Sequence, residues 1–286
     1  MLHEIRDLGF AWCELSHGIR ISLLPGIMEA VDAGEMKISS LHNFCPLPMG
    51  VMQAAPNIFL FSSPDERERD RAFRHSMKTI ETAARLKAKA VVLHMGCIEM
   101  KEYTDRLIEM VGEKKKDTSK YVSLCADVVK KREKKKEEFV RRSSEMLDRL
   151  APEAETRGLK LGVENREALE EIPLETDFTT LMREFDRPGV GYWHDTGHAQ
   201  IKENLGFINH AIHLNMMSDR LIGLHVHDVE FPGRDHRAPG TGSVDFAALK
   251  PMIKPEQIKV FELSPRLTVE EVKKGIAYIK SLWGEE

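Results

Sequence analysis

Apolar residues in this chain gather in short runs, and between the runs they recur at helical spacing. The runs are AWCELS (11–16), MKISSLH (36–42), KAVVLHMG (89–96), KLGVENR (160–166), GVGYWHD (189–195), LIGLHVHD (221–228) and IKVFELSP (258–265). Helical patterns occupy 22–34, 64–87, 117–157, 174–185, 207–219, 245–253 and 268–283. The runs are mostly continuous rather than alternating, as in strands covered on both faces. Strands alternating with helices predict parallel βαβ units in an α/β fold. No GxGxxG turn follows an early strand and no Walker loop occurs, so a closed (β/α)8 barrel fits better than a doubly wound sheet. Such a barrel has eight strands and seven are readable. The chain opens on the helix-like LHEIRDLGF and passes directly to AWCELS, so the first strand is the one missing. This predicts about 10–20 further residues upstream of Met1, enough for a strand and its loop.

Composition narrows the setting. A chain of 286 residues is expected to form one domain over 1–286, burying roughly 75% of the surface its unfolded form exposes. The net charge of −4 gives no overall basic excess to attract nucleic acid or an anionic membrane. The segment KKREKKKEEFVRRSSEMLDRL (130–150) is dense in charge, but its glutamates are interleaved with its lysines. It reads as the solvated face of a long helix, with Phe139, Val140, Met146, Leu147 and Leu150 on the apolar side. The stretch 99–126 is expected to be an irregular or helical excursion and a candidate lid. No signal peptide or membrane-length apolar run is present. Cys13, Cys45, Cys97 and Cys125 form no CxxC pair and suit a reducing cytoplasm. Association into a homo-oligomer is left open.

Chemistry enters at the strand ends. In VGYWHDTGHAQ (190–200), an apolar run stops on His194-Asp195, Thr196-Gly197 breaks it, and His198 follows. Taken alone, Asp195 reads better as the cap of a following helix, with His198 a satisfied surface residue. Yet from the second run onward every strand ends in His42, His94, Glu164, Asp195, His225 with His227, or Glu262. A parallel barrel brings all its strand carboxyl ends to one mouth. Carboxylates and imidazoles gathered there are expensive unless paired, and a divalent cation neutralises them.

These segments resemble the xylose-isomerase-like TIM barrels, which include sugar isomerases and epimerases, inosose dehydratase and endonuclease IV. The resemblance spans about Gly9 to Leu282. It rests on LGVEN with Glu164, WHDTGHA with Asp195 and His198, GLHVHD with His225, PGTGSVDF, and VFELS with Glu262. It implies one metal ion held by Glu164, Asp195, His225 and Glu262. That oxygen-rich set suits manganese or magnesium, with cobalt or zinc as alternatives. It further implies an isomerase or epimerase that moves a proton next to a carbonyl of a sugar or polyol, with Glu164 and Glu262 as the acid/base pair. His198, His236 and Arg237 would hold substrate hydroxyls, and Arg166 a phosphate or carboxylate. His42 and His94 would line the pocket, Trp193 would stand in the wall, and His194 would support the site from behind. Two alternatives stay open. One is an endonuclease of the three-zinc type, which His42, His94 and His198 match. That type expects Asp-x-His where this chain has Asp235-His236. The other is a dehydratase that begins with the same proton abstraction.

Overall fold

A computed structural model describes residues 2–55 and 57–284. Seven strands form one sheet in the order β1 (Trp12–Leu15), β2 (Lys37–His42), β3 (Ala90–Leu93), β4 (Lys160–Glu164), β5 (Val190–Asp195), β6 (Leu221–Val226) and β9 (Ile258–Phe261). Each lies inside a predicted run, and the seven are those read from the sequence. A separate ribbon pairs β7 (Asp228–Glu230) with β8 (Arg234–Arg237) in antiparallel fashion. The helix Leu2–Asp7 precedes β1 directly. The expectation about residues upstream of Met1 lies outside the described residues.

Contacts group the chain into two units. The first holds residues up to Cys97, Glu138–Glu164 and Leu181–Gly191. The second holds Ile98–Glu137, Asn165–Thr180 and the chain from Tyr192 onward. In the first, β1 to β4 pair in parallel, with His42 opposite Val92 and Val92 opposite Gly162. Ile38, Leu41, Val91, Val92, Leu161 and Val163 are buried on these strands. Each such aliphatic side chain contributes roughly 1.5–3 kcal/mol relative to exposure. The helix Glu66–Arg85 buries Ala72, Ile80 and Ala83, and the Asp65 carboxylate caps it by accepting from the Arg67 N–H at 2.9 Å. Met146, Leu147 and Leu150 of the long helix Ser119–Glu155 are buried, with Phe139 and Val140 half-buried. The apolar side of that helix therefore matches the sequence.

In the second unit, β5, β6 and β9 pair in parallel, placing Asp195 opposite His225 and His225 opposite Val260. Three expectations need correction here. The helix Thr196–Leu205, which starts immediately after Asp195, is absent from the predicted helical patterns. The predicted helix over 207–219 is His210–Met217 followed by a 3-10 turn. The glycine-rich loop after β6 contains the β7–β8 ribbon; its short, charged strands carry no apolar alternation to betray them. The charge run also has an exception. Arg132 is buried, donating to Leu169 O at 3.0 Å, Glu171 O at 3.3 Å and Asp177 Oδ2 at 2.8 Å. Its Nε and Nη2 groups are met by partners that lie far away in sequence. The stretch 99–126 contains the helix Thr104–Gly112, tied down where Glu170 accepts from Tyr103 N–H and the Thr104 hydroxyl, both at 2.7 Å. The four cysteines are free. Among the described residues no helix is long and apolar enough to cross a membrane.

Behind β5 lies a chain of buried imidazoles. His213 Nε2 and His194 Nδ1 flank the Tyr192 hydroxyl at 2.9 and 2.7 Å, His194 Nε2 meets His210 Nε2 at 2.8 Å, and His210 Nδ1 meets Gln200 Oε1 at 3.1 Å. The Gln200 amide nitrogen donates to Glu203 and Asn204, so its oxygen accepts. Each proton then has one place, running from His213 through Tyr192, His194 and His210 to Gln200, with every ring neutral. Burial holds His194 well below its usual pKa, and pushes His210 and His213 down to about 3. The unfolded chain takes up protons at these histidines near pH 6.5, whereas the folded chain does not until about pH 3. Stability is therefore expected to fall as pH drops through that window, by up to roughly 1.4 kcal/mol per pH unit for each group. Urea unfolding from pH 7 to pH 4 checks this. A His213→Gln variant should show a shallower pH slope.

Candidate metal centre

In the first unit, three strands end on ligating side chains. His42 is the last residue of β2, His94 follows β3, and Glu164 is the last residue of β4. Glu164 Oε2 lies 2.6 Å from His94 Nε2 and 3.5 Å from His42 Nε2, and the two Nε2 atoms are 3.1 Å apart. His42 Nδ1 donates to Asn43 O at 2.9 Å, which leaves Nε2 to face the carboxylate. All three side chains are buried. His17, two residues beyond β1, sets its ring edge-on to His42 at 5.0 Å. Sequence reasoning passed over it, although its place just past a strand end was the available signal.

In the second unit, β5, β6 and the residue after β9 deliver Asp195, His225 and Glu262. Their ligand atoms lie within 4.8 Å of one another. His225 Nδ1 is 3.0 Å from Glu262 Oε2 and 3.7 Å from Asp195 Oδ2. Asp195 and His225 are fully buried, while Glu262 is about a third exposed. Asp195 also caps the next helix, its Oδ1 accepting from the His198 N–H at 2.7 Å. Both readings of VGYWHDTGHAQ, cap and candidate ligand, therefore apply to one carboxylate.

His227 supports that carboxylate. Its Nδ1 accepts from the His236 N–H at 2.9 Å, so its proton sits on Nε2, which donates to Asp195 Oδ2 at 3.0 Å. With both nitrogens committed, His227 has no lone pair for an ion. Gly197 makes room for it: a Cβ there would stand 2.1 Å from the His227 ring. His236 stacks on His227 at 4.3 Å with a positive φ of 53°, a strained backbone for a side chain of this size. Burial works against its charge, but Asp235 at 3.0 Å and Glu262 at 3.7 Å outweigh it and push the pKa up to about 11. His236 is thus an imidazolium poised beside Glu262.

His198 Nδ1 donates to Asn165 O at 3.0 Å, and its ring shares a second cluster with Glu167 and Asp235. Burial raises the Glu167 pKa, with His198 opposing the shift. Glu167 was missed from the sequence, where nothing distinguishes it from neighbouring acids. Arg166 is buried and bound to Glu171, with two contacts of 3.0 Å, and Arg237 Nε lies 3.5 Å from Glu230. Arg166, expected to meet an anion, and Arg237, expected to hold a hydroxyl, therefore both lie near carboxylates of this chain. His194 turns into the imidazole chain described above, while Trp193 is fully buried on β5.

The DVEFPGRDHRAPGTGSV segment is organised by one buried carboxylate. Asp228 accepts from Val229 and Val244 N–H at Oδ1 (2.8 and 3.0 Å) and from Gly240 and Gly242 N–H at Oδ2 (2.9 and 2.8 Å). A Cβ on Gly242 would lie 2.5 Å from Asp228 Oδ1 and 2.2 Å from Val229 O.

The profile described as xylose isomerase-like TIM barrel matches residues 2–282. The chain belongs to that family. No curated protein matches it. Among solved structures, a D-tagatose 3-epimerase-like protein is similar at 19% identity and TM-score 0.70, over 99% of this chain and 91% of that one. The 3-keto-D-glucoside 4-epimerase of E. coli is similar at 15% identity and TM-score 0.67, covering 98% and 92%. The IOLI protein, solved with a bound zinc atom, is similar at 17% identity and TM-score 0.66, covering 98% and 92%. At these identities the likeness is one of fold.

Asp228→Ala would leave four N–H groups without their acceptor. A loss of about 3 kcal/mol is expected in urea unfolding, since each unmet buried donor costs roughly 1–3 kcal/mol and part of the loop can reach water. A loss under about 1 kcal/mol would show that this loop does not depend on the carboxylate.

Proposed function

We propose that the protein is a metal-dependent sugar isomerase or epimerase acting on a small sugar or polyol. The observation that carries the reading is the convergence of His225 Nδ1 with the Asp195 and Glu262 carboxylates. Two carboxylates and one imidazole, mostly buried and aimed at each other, fit a divalent cation. Glu164, ending β4, is proposed as the fourth ligand. Three carboxylates and one imidazole suit manganese or magnesium, with cobalt or zinc as alternatives. Two of the similar structures are described as epimerases or epimerase-like, and another as zinc-binding.

When bound, the cation would polarise the substrate carbonyl and offset negative charge developing on its oxygens. The chain's own groups would do the rest. Glu262, partly exposed, removes or returns the proton next to the carbonyl, and Glu164 serves as its partner. The His236 imidazolium, beside Glu262, donates to a substrate oxygen, and His198 holds a hydroxyl. His42 and His94 line the pocket next to Glu164. Arg237, whose Nε lies 3.5 Å from Glu230, keeps its proposed role toward a substrate hydroxyl, while Arg166 is paired with Glu171.

A screen of the manganese-loaded protein against ketoses, aldoses and inososes tests the reading, with deuterium wash-in at the carbon next to the carbonyl. Glu262→Gln is expected to keep the metal but lose about 10²–10⁴-fold in turnover. Turnover within a few-fold of wild type, with metal still bound, would exclude Glu262 as the base.

A second reading, a multi-zinc phosphodiesterase of the endonuclease IV type, is favoured by one observation. His42, His94 and Glu164 form one further cluster, and Glu167, His198 and Asp235 another. Glu167, with His198 and Asp235, would supply a three-ligand set even though the Asp-x-His pattern is not kept. Elemental analysis after zinc loading distinguishes the two: one ion per chain supports the sugar enzyme, and three ions with nicking of an abasic duplex support the nuclease.

A further inference from the structure

In the second unit, the main chain of Asp195 is held by a side chain. Asn165, the residue after β4, accepts the Asp195 N–H at Oδ1 over 2.7 Å and donates from Nδ2 to Asp195 O over 3.1 Å. The Asn165 N–H donates to Trp193 O at 3.3 Å. In a continued parallel ladder the Asp195 N–H would go to the main-chain carbonyl of Asn165. Here the side-chain oxygen takes that bond, which leaves the carbonyl to accept from His198 Nδ1 at 3.0 Å. The proton of the neutral His198 ring therefore sits on Nδ1, and Nε2 keeps its lone pair. Four positions further along the helix Thr196–Leu205, on the same face, Lys202 donates to the next carbonyl, Arg166 O, and pairs with Glu175. Asn165, Lys202 and Glu175 are all buried.

We propose that Asn165 is a positioning residue of the metal centre, which sets the direction of the Asp195 carboxylate and the tautomer of His198. The proposal rests on the reading of Asp195 as a metal ligand. With both main-chain polar groups of Asp195 fixed, its carboxylate leaves the strand in one direction. Oδ1 then meets the His198 N–H, and Oδ2 meets His227 and points towards His225. The carbonyl of the same Asn165 orients the His198 ring, so that Nε2 meets a substrate hydroxyl as an acceptor. An amide on one methylene supplies the donor and the acceptor that this clasp needs. A carboxylate in its place sets a second oxygen against Asp195 O, and an alanine leaves two buried polar groups of Asp195 unmet. Residues that orient a metal ligand from behind commonly change metal affinity by about 10–100-fold when replaced.

The test is cobalt(II) titration of the full chain after treatment with a chelator, followed by the visible absorption bands of the bound ion, which report the geometry of its ligands. Wild type is expected to bind the ion. Asn165→Asp and Asn165→Ala are each expected to bind it about 10–100-fold more weakly and with shifted bands. Asp65→Ala separates this effect from a loss of stability. It removes the cap of the helix Glu66–Arg85, so it should lower the melting temperature yet keep the affinity and bands of wild type. Long-range nitrogen–proton NMR of the metal-free wild type adds a check that needs no folded Asn165 variant. The neutral His198 ring is expected to carry its proton on Nδ1, and a proton on Nε2 would overturn the proposal. So would unchanged bands and an affinity within about threefold of wild type in a folded Asn165 variant, with the metal reading left standing. A wild type that takes up no cobalt would instead overturn the metal reading, and the positioning role with it.

Discussion

The Asp195 carboxylate is fully buried, and the arrangement of the second unit follows from how its demands are met. A buried carboxylate is tolerable only when nearly every lone pair is occupied. Oδ1 takes the His198 N–H, which fixes the first turn of the helix Thr196–Leu205. Oδ2 takes the His227 Nε2–H and lies near His225 Nδ1. One group thereby sets the direction of a helix, the tautomer of His227 and the approach of a third residue. Gly197 must be a glycine for His227 to reach it.

The ribbon after β6 extends the same constraint outward. Asp228 collects four N–H groups from residues on both sides of the ribbon, and so holds the segment that carries Asp235 and His236. The His236 N–H then completes the hydrogen bonding of His227. Asp228 and Asp195 are therefore joined through two histidines. The positive φ of His236 is sustained by this over-determined surrounding.

Two sets of histidines withdrawn from bulk water to different degrees are handled in opposite ways. Behind β5, burial outweighs the raising pull of Asp195 on His210 and keeps His210 and His213 neutral, and Gln200 fixes the direction of their hydrogen bonds. At the ribbon, Asp235 and Glu262 keep His236 protonated despite its burial. Neighbouring charge, more than burial, decides which imidazoles carry a proton at neutral pH.

Much was legible in the sequence because it depends on local periodicity and on chain order. The seven strands of the parallel sheet, most helices, and the presence of a His, Asp or Glu at successive strand ends all follow from patterns a few residues long. A parallel sheet turns strand order into spatial order, so residue type at strand ends is informative. What required the tertiary structure were contacts between distant positions. The β7–β8 ribbon lacks alternation because its strands are held by Asp228 rather than by an apolar face. Arg132 is buried inside a charge run because carbonyls and a carboxylate up to 45 positions away accept from its Nε and Nη2 groups. Arg166 is matched by Glu171, and Glu167 joins His198 and Asp235, through folding that no local pattern records. Which imidazole is neutral, which is charged, and which is already spent on a hydrogen bond was settled only by the tertiary structure, since each depends on partners that folding brings within 3 or 4 Å of it.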